Sequence, residues 1–152
     1  MGKRAENMEG AIRALSARGV QVTRRSAIYE TEPVDVRDQG WFLNCVIEAE
    51  TEMGPEQLMQ TLLQIERCFG RERRVPKGPR PLDIDILLLG SDVVSRPELE
   101  IPHPRMSERR FVLVPFAEIA PGVRHPVLKK TIADLLADTT DRSEVKKRAT
   151  SD

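Results

Sequence analysis

Met8, Ala11, Ile12 and Leu15 recur three and four positions apart, the stripe an amphipathic helix buries, and Gly19 ends it. Val20 and Val22, then Ile28 and Tyr29, predict a strand that stops at Thr31-Glu32-Pro33. A polar stretch from Asp35 to Gly40 leads into a second β-rich run, Trp41-Phe42-Leu43-Asn44-Cys45-Val46-Ile47-Glu48-Ala49, and the two runs predict a β-hairpin. Gly54-Pro55 opens a second helix in which Leu58, Leu62, Ile65 and Phe69 share a face and Gly70 closes the end. After a basic, proline-rich loop, Leu82-Asp83-Ile84-Asp85-Ile86-Leu87-Leu88 predicts a strand ending at Gly90. Val93-Val94 is a short segment, and Leu99 to Pro104 is broken by prolines. Phe111 to Ile119 predicts a helix interrupted at Pro115. Thr131 caps a last short helix running to Leu136, with Asp134 in the capping-box position.

The order α-β-β-α-β followed by helices predicts an α+β fold, with helices packed on an antiparallel sheet. A ferredoxin-like version needs one more strand before the first helix, and this chain opens without it. No repeat or domain boundary is evident. One domain is therefore expected over 1–138, followed by a charged, apolar-poor, flexible tail over 139–152.

Composition narrows the classes. The 152 residues carry 24 basic and 24 acidic side chains, a formal net charge of zero. That balance excludes a nucleic-acid coat or a membrane-surface binder, both of which need a basic excess. Cys45 and Cys68 lack metal or redox spacing and read as buried thiols in a reducing compartment. With no apolar run of membrane length, the expectation is a cytoplasmic protein. A monomer is the default, since no heptad or apolar patch asks for a partner.

Charge is balanced overall but not locally. Arg71, Arg73, Arg74, Lys77 and Arg80 crowd the loop just before Asp83 and Asp85. On a strand, residues two apart face the same way, so the two aspartates present parallel carboxylates while Ile84 and Ile86 turn inward. Such a pair repels unless a cation joins it. Mg²⁺ suits, because it takes one or two carboxylates and completes its octahedron with waters and phosphates. The arginines offer bidentate donors to phosphate. Alone, D-x-D on a strand is more often the solvated face of an edge strand. Beside this basic loop, a metal–phosphate site is the favoured reading.

Further ordered motifs surround that site: Ser26 through Val34, Asp38-Gln39-Gly40-Trp41-Phe42-Leu43-Asn44, Ile65-Glu66, and Gly70-Arg71. They continue with Gly78-Pro79-Arg80-Pro81-Leu82-Asp83-Ile84-Asp85-Ile86-Leu87, Ile101 through Met106, Arg109 through Pro115, and Glu118-Ile119-Ala120-Pro121. Together, from about Ala5 to Leu136, they resemble the 6-hydroxymethyl-7,8-dihydropterin pyrophosphokinase family of folate biosynthesis. The resemblance implies transfer of pyrophosphate from ATP to the pterin hydroxymethyl oxygen, with release of AMP. It implies two Mg²⁺ ions on Asp83 and Asp85, with Arg71 and Arg80 closing over the phosphates and Arg73 a weaker candidate. It implies His103 and Arg109 on the nucleotide phosphates, and Ile86, Leu99 and Ile101 as walls of an adenine pocket. Phe42 and Phe111 would sandwich the pterin ring, Asn44 would bond its edge, and the backbone around Thr31, Pro33 and Val34 would complete that recognition.

Plainer readings stand beside these. Without the resemblance, His103, between two prolines, reads better as a packing turn residue, and Arg109 as solvated helix charge. Arg109 and Arg110 are adjacent, so that assignment is open by one position. Phe42 and Phe111 could be core, as could Ile86, Leu99 and Ile101. Trp41 reads as packing.

The chain also departs from the family pattern. Members carry an apolar first strand and Gly-Ser-Asn before the helix, whereas Met1-Gly2-Lys3-Arg4-Ala5-Glu6-Asn7-Met8 matches only the helix start. The expectation is that Met1 is an internal methionine and that about 8–12 further residues, a usual strand plus turn, precede it naturally. Lys77 stands where some members have an aromatic residue. Two alternatives follow: a truncated, inactive pterin or nucleotide binder, and a ferredoxin-like RNA-binding module. Paired aspartates and zero net charge speak against the second.

Overall fold

The computed structural model describes residues 2–31, 42–70 and 82–148. Pro33, Val34, Trp41, Arg71, Arg73, Arg74, Lys77 and Arg80 lie outside them. The elements in chain order are α1 (Gly2–Ala17), β1 (Gln21–Arg25), β2 (Tyr29–Thr31), β3 (Phe42–Asn44), β4 (Ile47–Glu50) and α2 (Pro55–Gly70). They continue with β5 (Val94–Arg96), β6 (Leu99–Ile101), a 3₁₀ turn (Met106–Glu108), α3 (Arg110–Ile119), α4 (Ile132–Asp138) and β7 (Val145–Lys147). This is an α+β chain. Its strands fall into three ladders, β1–β4, β3–β2–β7 and β5–β6.

Two compact units are distinguished, Met1–Thr23 with Ala49–Ile86, and Arg24–Glu48 with Leu87–Asp152. In the first, α1 and α2 pack through the stripes the sequence predicts: Ala11, Leu15, Leu58, Leu62 and Ile65 are all buried. Each leucine or isoleucine among them contributes about 1.5–3 kcal/mol on leaving water. Phe69 lies against Gly10, where an added Cβ would sit 2.5 Å from the ring, so the helices close on an absent side chain. Gly19 ends α1 at φ +89° while the Val20 amide donates to the Leu15 carbonyl, the long bond of a Schellman-type end.

The second unit is built on Val46, Met106, Leu113, Phe116, Ile119, Ile132 and Leu135, with Leu87 and Leu88 packed against them. The predicted hairpin exists but is broken midway. Ser26 donates its amide to the Val46 carbonyl, yet the Val46 amide is accepted by the Ser26 hydroxyl at 2.9 Å. A side chain thus stands in for the backbone acceptor. β2 and β3 then pair antiparallel, with Tyr29 opposite Asn44 and Thr31 opposite Phe42.

Four expectations need correcting. Residues 82–89 form no ladder among the described residues, although exposure still alternates from Leu82 to Ile86. A period-two pattern specifies two faces but cannot supply a neighbouring strand. α3 runs unbroken through Pro115, because the single bond proline forfeits is offset by its buried ring. Cys68 is exposed and Cys45 half-buried, so neither is a core thiol. The charged segment after Thr139 contributes a strand, β7, because β2 offers it a free edge: Val145 sits opposite Thr31 and Lys147 opposite Tyr29. The Thr131 capping box on α4 is present in both its bonds. Among the described residues, no helix is long and apolar enough to cross a membrane.

Candidate functional site

The second unit gathers most of the described candidates. Strand alternation and cross-strand register put Tyr29, Thr31, Phe42 and Asn44 on one face of the β2–β3 pair. Asn44 Nδ2 donates to Thr31 Oγ1, so two candidate recognition residues are tied together before any ligand arrives. Thr31 is buried, while Phe42 and Asn44 are half-buried. With its Nδ2 on Thr31, the Asn44 amide retains its carbonyl as an acceptor for a heterocycle edge.

Helix α3 packs on this sheet and carries Phe111 in its first turn. The Arg109 guanidinium lies 5.4 Å from the Phe111 ring centroid, within cation–π range. Arg110 is used differently, since its Nε donates to the Ser143 carbonyl at 3.1 Å. That separates the adjacent arginines: Arg110 is engaged by its own chain, and Arg109 faces the aromatic ring.

His103 sits in a turn just after β6. Its amide donates to the Leu87 carbonyl and its Nδ1 accepts from the Arg105 amide at 3.3 Å. An accepting Nδ1 puts the neutral ring's proton on Nε2, which makes that nitrogen a donor suited to a phosphate oxygen. Leu99 and Ile101 are buried on β6, as the plainer core reading has it.

Asp83, Asp85 and Ile86 belong to the first unit and are described there. Both aspartates are exposed, between half-buried Leu82, Ile84 and Ile86. The stretch is anchored from α2, where the Glu66 carboxylate accepts the Ile84 amide. Two hard oxygen donors exposed to solvent fit Mg²⁺, which keeps several waters and bridges to phosphates. Among the described residues no three His, Cys, Asp or Glu side chains cluster, so a metal held here rests on this pair plus waters and substrate oxygens.

Two carboxylates without an assigned role in the sequence reading, Glu118 and Asp141, brace these elements. The Tyr29 hydroxyl donates to Glu118 Oε1 at 2.6 Å, and the Ala27 amide donates to the same carboxylate at 3.2 Å. Burial, then the hydrogen bond to Glu118 and its charge, push the Tyr29 pKa up to about 12. The other is Asp141, whose Oδ2 accepts the Arg110 amide at 2.8 Å. Only a local signal exists for it, the Asp-x-Ser turn in which Ser143 donates back to Asp141. Nothing in the sequence points to a partner so far upstream.

Residues 1–121 match the family described as 7,8-dihydro-6-hydroxymethylpterin-pyrophosphokinase. The chain is 48% identical over 104 residues to 2-amino-4-hydroxy-6-hydroxymethyldihydropteridine pyrophosphokinase of Bacillus subtilis, covering 68% of this chain and 62% of that protein. It is 44% identical over 124 residues to the protein of the same name from Methylorubrum extorquens, covering 81% and 78%. It is also 44% identical over 119 residues to the mitochondrial folate synthesis bifunctional protein of Arabidopsis thaliana. That match covers 78% of this chain but only 22% of the plant protein. The chain thus spans about a fifth to three fifths of several curated relatives it matches.

Proposed function

The chain belongs to the 7,8-dihydro-6-hydroxymethylpterin-pyrophosphokinase family, and we propose that it transfers pyrophosphate from ATP to 6-hydroxymethyl-7,8-dihydropterin in folate biosynthesis. The pterin hydroxymethyl oxygen bonds to the β-phosphorus of ATP, and the bond from that phosphorus to the α–β bridging oxygen breaks. AMP leaves, and the hydroxyl proton passes to solvent. Transfer of this kind depends mainly on positioning and on neutralising spread negative charge.

The observation that carries the reading is the Thr31–Asn44 pair beside Phe42 on a single sheet face, with α3, which carries Phe111 in its first turn, packed on that sheet. Aromatic faces for a planar ring and an amide for its edge are what a pterin requires. In this reading Phe42 and Phe111 stack on the ring, Asn44 and Thr31 bond its edge, and Pro33 and Val34 complete that edge. Arg71, Arg80, Arg109 and His103 Nε2 hold the phosphates, while Ile86, Leu99 and Ile101 border the adenine. Asp83 and Asp85 would hold two Mg²⁺ ions, which, when bound, supply charge neutralisation and a lower hydroxyl pKa. The fold proposed for the family member is ferredoxin-like, and the enzyme is proposed to work as a cytoplasmic monomer without nucleic acid.

The test is AMP release from ATP plus the reduced pterin, with and without Mg²⁺. AMP is expected only when all three are present. Its absence with all three, or an undiminished rate without Mg²⁺, defeats the reading or its metal half respectively.

A further inference from the structure

We propose that Asp141 is a positioning residue for the reduced pterin, holding the first turn of α3, and with it Arg109 and Phe111, from the C-terminal segment. The inference rests on the pterin reading above. Helix α3 starts at Arg110, and its cap residue Arg109 makes no side-chain bond to the helix. First-turn amides need an acceptor, and a carboxylate is the favourable one at that end of the helix dipole. Asp141 supplies it from 31 residues downstream, accepting the Arg110 amide at 2.8 Å.

The grip is not a single bond. Arg110 Nε donates to the Ser143 carbonyl at 3.1 Å, and Thr139 Oγ1 donates to the Glu108 carbonyl at 2.8 Å. Asp141 is itself fixed, since its Oδ1 accepts from both the amide and the hydroxyl of Ser143. Burial alone would raise its carboxyl pKa, but bonds from Ser143 and Arg110, and the Arg110 charge, outweigh burial and hold it below the ordinary value.

The same segment then becomes β7, where Val145 faces Thr31 across the ladder and the Arg148 amide donates to the Ile28 carbonyl. One continuous stretch therefore grips both elements that the pterin reading uses, the strand bearing Thr31 and the turn bearing Arg109 and Phe111. Ring stacking and edge bonding lose much of their value when such elements drift by an ångström. Holding them in common is what this segment does.

The test uses the full chain with Asp141→Ala, Asp141→Asn and, as a control, Thr131→Ala, which removes the α4 cap at comparable cost to stability. Steady-state AMP release gives the pterin KM against kcat, and hydrogen exchange reads the Arg110 and Phe111 amides. Asp141→Ala is expected to raise the pterin KM and to speed exchange at Arg110, each by about tenfold, as for a lost bond to a charged group. Asp141→Asn, which keeps an acceptor, should restore most of both, and Thr131→Ala should move neither. Unaltered exchange at Arg110 in Asp141→Ala, or an equal KM rise in Thr131→Ala, overturns the positioning role. AMP release with an unmoved pterin KM defeats this inference alone. No AMP from the unaltered chain defeats it together with the pterin reading.

Discussion

The β2–β3 face and the stretch from Leu82 to Ile86 both carry candidate site residues at strand spacing, yet they are held in opposite ways. Thr31 is buried, bonded to Asn44 and braced from β7, and its neighbour Tyr29 is bonded to Glu118 on α3. Asp83 and Asp85 are exposed on a stretch that forms no ladder among the described residues, anchored through Ile84 to the Glu66 carboxylate. The difference follows from what each is proposed to bind. A flat heterocycle is recognised by fixed surfaces, and ordering them in advance removes a cost of binding. A hydrated Mg²⁺ arrives with waters and phosphates, so its carboxylates must stay open to solvent.

The sharpest way to break this comparison is Asp85→Ala. Removing one charge clamp from a transfer site should lower kcat roughly 10²–10³-fold. Because Asp85 is exposed, thermal stability should shift by no more than about 0.5 kcal/mol. A near-normal rate at ordinary Mg²⁺ would show that these carboxylates do no metal work. Thr31→Val probes the other region. It leaves the Asn44 amide without its partner, which should raise the pterin KM about tenfold to a hundredfold while sparing the ATP KM. Equal changes in both KM values would mean that Thr31 supports the fold at large and not the pterin face.

Glu66→Ala tests the bond that ties the exposed stretch to α2. With the Ile84 amide released, kcat should fall about tenfold, as for the loss of a hydrogen bond to a charged group, while the pterin KM holds. Glu66→Gln, which keeps an acceptor, should recover most of the rate in the same assay. If both variants match the wild type, the position of Asp83 and Asp85 does not depend on α2.

The same contrast explains what was legible in the sequence. Helix α2 could be read almost to the residue, because Gly54-Pro55 and the Leu58, Leu62, Ile65 stripe are local signals. The α4 capping box was legible for the same reason. Motif-borne candidates such as Asn44 and Thr31 fell together on one face because β2 and β3 pair in the register that alternation demands. Three features resisted. The Ser26 hydroxyl breaks the hairpin by replacing a backbone acceptor, a choice that composition does not record. The stretch from Leu82 to Ile86 has a strand's period but no ladder partner among the described residues. Charge-rich Val145–Lys147 looked like a solvated tail, yet it is a strand because an edge was there to meet it. Each depends on a partner distant in sequence, and periodicity carries no address.

The smallest effect is the most selective probe of the braced region. Tyr29 is the chain's one tyrosine, so its ionisation can be followed by absorbance without interference from another phenol. Burial, the bond to Glu118 and the Glu118 charge raise its pKa to about 12 from an ordinary 10.0. A raised pKa means the folded state favours the protonated phenol. Its contribution to stability is therefore complete below pH 10 and is lost as the pH climbs through about 12. Glu118→Gln keeps an acceptor for the hydroxyl but removes the charge, so the midpoint should fall while burial keeps it above 10. The pterin KM should change only a few-fold, because the bond geometry survives in the amide. A wild-type tyrosinate midpoint near 10 would mean that the Glu118 bond does not hold Tyr29 in solution, and β2 would then be no better braced than the stretch bearing Asp83 and Asp85.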